Sequence, residues 1–122
     1  MLTLETAKKL KEVGFNKPCI TNYHIHKDGS SVLKYSTNLH DSNYIEVISC
    51  PSLEELLKVM PSYLHGYDKK FELTKNDNRD YTYSARYYDP CYPHETIEEM
   101  HKDPTEAVAQ LYIKLRQERL IK

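Results

Sequence analysis

Pro51-Ser52-Leu53-Glu54-Glu55-Leu56-Leu57 reads as the opening of an amphipathic helix. Ser52 stands where a cap side chain accepts a free first-turn N–H, and Glu55, three residues on, can reach back to the Ser52 N–H. Leu53, Leu56, Leu57 and Met60 fill the i, i+3, i+4, i+7 template, and Pro61 ends the run. A second opening, Asp103-Pro104-Thr105-Glu106, places proline at the first helical position and a glutamate three residues after the cap. It predicts a second reciprocal box and a helix to about residue 120, with Val108, Leu111, Tyr112 and Leu115 as its buried stripe.

Working outward from these two helices gives the rest of the order. Residues 3–13 carry Leu4, Ala7 and Leu10 on one helical face, and Gly14 suits the left-handed residue that closes a helix. Residues 20–27 alternate as a strand, with Tyr23 and Ile25 on one face and Asn22, His24 and His26 on the other, solvated one. Asp28-Gly29 turns the chain into a strand at 32–37; a polar link at 38–43 leads to a strand at 44–49. Residues 70–74 and 81–88 read as two more strands around a polar turn at 76–80. The expected fold is one α+β domain over 1–122, with about five mainly antiparallel strands packed with three helices in the order α-β-β-β-α-β-β-α. Residues 89–103 read as irregular: Pro90 and Pro93 break regular structure, and 96–101 suit a short helical turn.

Composition bounds the function. Seventeen basic and eighteen acidic side chains leave a net charge of −1, which provides no general field for nucleic acid or anionic lipid but leaves room for a local basic patch. Cys19, Cys50 and Cys91 are scattered, odd in number and free of any C-x-x-C, which points to reduced thiols and a cytoplasmic protein. No run of 18 apolar residues suggests a membrane span. Eleven tyrosines against two phenylalanines and no tryptophan favour half-buried sheet faces and interfaces.

Three stretches carry a resemblance: Leu4-Glu5-Thr6-Ala7-Lys8-Lys9-Leu10-Lys11-Glu12-Val13-Gly14-Phe15, Pro51-Ser52-Leu53-Glu54-Glu55-Leu56-Leu57 and Pro104-Thr105-Glu106-Ala107-Val108-Ala109-Gln110-Leu111. They cover most of the helical sequence, and in them the chain resembles small helix-on-sheet sandwich proteins of phages, prophages and other bacterial mobile elements. The resemblance implies that fold and no established activity, cofactor or catalytic residue.

Several residues invite chemistry. His24 and His26 sit at i and i+2 of a strand, the spacing at which two imidazoles can meet one metal ion. HUH single-stranded DNA nucleases use such a strand with a tyrosine on a later helix, and Tyr112 has that order. Tyr112, however, lies in its helix's apolar stripe, and the overall charge does not attract DNA. Cys91 and His94 are close in sequence, which is no evidence of a catalytic pair. Tyr81, Tyr83, Ala85 and Tyr87 share a strand face, better read as packing under a helix than as a base-stacking platform. The expected function is therefore a small non-enzymatic accessory protein, without cofactor, that binds another protein or a second copy of itself. The expected recognition segment is 89–103, through Cys91, Tyr92, His94, Ile97 and Met100. A metal-dependent HUH-type nuclease is the rival class; it must bind manganese or magnesium at His24 and His26, which a binding module need not.

Overall fold

The computed structural model describes residues 1–35, 44–64, 69–76 and 82–121. The link expected at 38–43 and most of the turn expected at 76–80 lie outside the described residues, as does Tyr81. Helix α1 (Leu4–Glu12) leads to strands β1 (Thr21–His26), β2 (Ser31–Tyr35) and β3 (Tyr44–Ser49), then helix α2 (Leu53–Val59). Strands β4 (Lys70–Lys75), β5 (Tyr83–Tyr88) and β6 (Ile97–His101) follow, and helix α3 (Pro104–Gln117) comes last.

Among the described residues there are six strands where about five are expected, and they form two antiparallel sheets of three, in the orders β2-β1-β3 and β4-β5-β6. The added strand is β6, in the stretch read as irregular with a helical turn. The Asp89 carboxylate accepts the Cys91 N–H at 2.8 Å, and a 3-10 turn follows at Pro93–Glu95. Together these reverse the chain, so that 97–101 return along β5 with Ile97 opposite Tyr87 and His101 opposite Tyr83. Pairing with a neighbouring strand outweighs the weak helical preference of Glu98-Glu99-Met100. The alternation is then strand-like. Glu99 faces α3 and pairs with Lys114 at 3.8 Å, whereas Glu98 turns to the opposite face and accepts the Ser84 hydroxyl.

Helix α3 is the centre of the molecule. It rests on β5 and β6 and touches both α1 and α2, while α1 rests on β3. Nine of its fourteen residues are buried, which is more than one stripe and fits a helix covered on several sides. Val108, Leu111 and Leu115 are fully buried and meet Ala85 and Tyr87 of β5 in one core. The face of Tyr83, Ala85 and Tyr87 thus packs under a helix, and the Tyr87 hydroxyl donates to the Pro61 carbonyl at 2.7 Å. In α2, Leu56 and Met60 are buried, but Leu57 is 38 % exposed, against expectation. Helix α2 is two turns long and rests mainly on α3, so it covers a narrower stripe than its leucines suggest.

The first capping box forms as expected: the Ser52 hydroxyl accepts the Glu55 N–H at 3.2 Å, and Glu55 accepts the Ser52 N–H at 2.9 Å. The second does not. Asp103 caps α3 through the Thr105 N–H, and the Asp103 N–H donates to His101 Nδ1. Glu106 instead turns away to α1, where one carboxylate oxygen accepts the Thr3 N–H and the other the Thr6 hydroxyl, both at 2.8 Å. At 3 % exposure it is a buried carboxylate shared by two helix N-termini. Glu106→Ala leaves a part-buried N–H on Thr3 and a buried hydroxyl on Thr6 without their acceptor. Urea unfolding should show a loss of roughly 2–4 kcal/mol; a loss below about 1 kcal/mol would show the network to be dispensable.

Candidate functional site

The expected recognition segment is divided by the fold. Cys91, Tyr92 and His94 are exposed on the β5–β6 connection, with the rings of Tyr92 and His94 edge to face at 6.2 Å. Ile97 and Met100 lie on β6 with opposite orientation: Ile97 packs against the core under α3, and Met100 is exposed on the other face. The five residues therefore do not share one surface.

The histidine pair is also changed by the fold. His24 is 1 % exposed, not solvated, and Asn22 beside it is buried as well. β1 is the central strand of its sheet, so Val32 and Val47 flank His24 on its own face. The register of β1 against β3 shifts between Ile25 and His26, so the regular alternation expected to place both histidines on one face is not continuous there. Among the described residues no three His, Cys, Asp or Glu side chains are grouped to hold a metal ion. Tyr112 is buried with its ring edge-on to Phe15 at 5.7 Å, a packing position rather than that of an exposed nucleophile. Cys19 and Cys50 are buried, and burial pushes the Cys19 thiol up to about 12, the Glu55 carboxylate beside it adding to the rise. Such a thiol is inert at neutral pH.

A different surface brings chemistry together. The C-terminal ends of all three helices line one cleft of about 1050 Å3. Phe15 and Tyr112 contribute an apolar floor, and Lys17, Lys58, Arg116 and Arg119 bring four positive charges. No carboxylate lines it among the described residues. Lys58 makes an exposed i,i+4 pair with Glu54 at 3.7 Å, a contact worth less than about 1 kcal/mol. Lys17, Arg116 and Arg119 form no ion pair among the described residues, whereas Arg86 is paired with Glu72 at 2.9 Å on the sheet.

Two helix ends build this cationic surface. At α1, the Phe15 N–H donates to the Leu10 carbonyl and the Gly14 N–H to the Lys11 carbonyl, with Gly14 at φ +96°. At α3, the Leu120 N–H donates to Leu115 and the Arg119 N–H to Arg116, with Arg119 at φ +58°. Both are Schellman closures. Glycine accepts the left-handed conformation readily; at Arg119 it costs about 1 kcal/mol. Arg116 is held in place by donating from Nε to the Val13 carbonyl at 2.9 Å, a cation on the negative end of α1. Helix-end electrostatics explain Arg116. They favour a cation at 119 by only about 0.3–1 kcal/mol, no more than its backbone costs, and they do not explain Lys17, five residues beyond α1.

Scattered origin hid this site from sequence reasoning. Its cations come from 17, 58, 116 and 119 in a chain of almost balanced charge. The available signal was the pairing of arginines with the ends of predicted helices. Among the described residues, no helix is long and apolar enough to cross a membrane. No family model, curated protein or solved structure matches this chain.

Gly14 serves the site sterically as well. A Cβ at this position would lie 2.6 Å from Arg116 Nη2. Gly14→Ala thus combines a disfavoured φ with displacement of the guanidinium, and chemical denaturation should show a loss of about 1–2 kcal/mol. A neutral result would mean that neither the helix closure nor the Arg116 position depends on glycine.

Proposed function

We propose that this chain is a non-enzymatic binding protein, an accessory of a phage or other mobile element, that holds an acidic segment of a partner protein in the cleft at its helix C-termini. The mobile-element origin rests on the resemblance of the three helical stretches. The partner class rests on one observation: four cations and no carboxylate line a cleft with an apolar floor, and three of those cations have no ion-pair partner among the described residues. Unneutralised arginines in a partly desolvated groove favour carboxylate or similar oxyanions, which their planar forks bind with two donors. The apolar floor favours a segment that alternates acidic and apolar side chains. The cleft volume lies at the upper end of small-ligand sites, which favours a stretch of polypeptide over a compact metabolite.

Fluorescence anisotropy with a pool of labelled peptides carrying several carboxylates among apolar side chains tests the reading. Binding should weaken steeply with salt. The Lys17→Glu, Lys58→Glu double variant should lose about tenfold or more in affinity, with its melting temperature kept. Absence of binding by the pool, or indifference to the charge reversal, would sink the reading. Preferential binding of a single-stranded oligonucleotide would transfer the cleft to nucleic acid.

A further inference from the structure

We infer that Arg119 is the residue by which the cleft distinguishes an acidic ligand from its neutral analogue, and that its left-handed backbone is retained for that contact. The inference rests on the acidic-segment reading above and adds the residue that reads the charge.

The argument compares two equivalent positions. Helices α1 and α3 end in the same pair of closing hydrogen bonds, so residues 14 and 119 occupy the same place in the motif. Both must adopt positive φ, at +96° and +58°. α1 meets this demand with glycine, the residue that does so at least cost. α3 meets it with arginine, although nothing in the closure itself uses a side chain. Arg119 is exposed at the cleft and has no ion-pair or hydrogen-bond partner for its guanidinium among the described residues, so no intramolecular contact offsets the conformational cost. A residue whose unfavourable conformation is not outweighed by what it returns to the fold, here only a weak helix-end attraction, is a candidate for function.

The neighbouring cation differs in kind. Arg116 is half-buried, tied to Val13 and packed over Gly14, and its removal would disturb the α1 closure. Arg119 has no such duty. It is the arginine of the cleft that can be changed without loosening the fold, and also the one free to close on a ligand oxyanion with both Nη groups.

The test is Arg119→Gly, measured against the peptide that the unaltered protein binds most tightly and against the same peptide with glutamine in place of glutamate. The melting temperature should stay level or rise by about 3–5 °C, because glycine relieves the backbone. Affinity for the acidic peptide should fall about tenfold, and the preference for it over the glutamine peptide should shrink by the same factor. Arg119→Lys, which keeps the charge but not the fork, should recover part of the preference. Unchanged affinity or unchanged preference in Arg119→Gly would overturn the inference while leaving the acidic-segment reading in place. A lowered melting temperature would also overturn it, since Arg119 would then be structural. Failure of the unaltered protein to bind any acidic peptide removes the reading itself, and this inference with it.

Discussion

One carboxylate joins the two ends of this chain. Glu106 accepts a backbone N–H from Thr3 and a hydroxyl from Thr6, so the first turn of α3 completes the cap of α1. A glutamate at the third position of a helix normally returns to its own cap. Here that duty passes to another helix, and the positive ends of two helix dipoles converge on a single negative charge. The two sheets share no strand pairing among the described residues, so they are held in one body through helices. α3 carries β5 and β6, α1 carries β3, and Glu106 binds α1 to α3. A buried carboxylate would be a liability if it lacked donors. This one is satisfied by neutral donors from an element that needs its own N-terminus capped.

Local patterns were legible in the sequence to the extent that local physics decides them. The box of Ser52 and Glu55, the stop at Pro61, the Asp28-Gly29 turn and the Gly14 closure all depend on residues within one turn of each other, and all form. Features decided by distant neighbours depart from the local pattern. Glu106 obeys the same grammar as Glu55, but Thr3 lies within reach in space and not in sequence. Residues 97–101 carry no strong strand signal, and β5 supplies the partner that makes them a strand. His24 belongs to an alternating strand whose polar face reads as solvated, yet it is buried, flanked on its face by Val32 and Val47 from the two neighbouring strands. Leu57 errs in the other direction, a leucine in register that no second element covers enough to bury.

The candidate site shows the same division more sharply. Length, charge and motif spacing describe the whole chain or short windows of it, and the cationic cleft belongs to neither. A net charge of −1 conceals four cations gathered at one end because the acidic residues are distributed elsewhere, paired on helix faces and sheets. Helix C-termini are a natural place for such segregation, since their carbonyls attract lysine and arginine. Three helices ending together concentrate that tendency, and the surplus beyond what the helix ends require is what gives the cleft its binding character. The 89–103 segment, by contrast, draws its expected role from an irregular length and a load of contact-capable side chains, and strand pairing with β5 orders part of it. Its strand geometry sends Ile97 inward and Met100 outward.

The span of the Glu106 contact carries a consequence for time rather than for shape. Strands β1, β2 and β3 are neighbours in the chain, as are β4, β5 and β6, so each sheet closes short loops and can form early. Thr3 and Glu106 are 103 residues apart, so their meeting closes a far longer loop than the pairings within either sheet, and a late contact is the expectation. Contacts that form after the folding barrier have little influence on how fast a chain folds and much on how long it remains folded. The clasp between α1 and α3 is therefore a determinant of lifetime: it sets how seldom the two sheets part and expose the apolar faces that α3 covers.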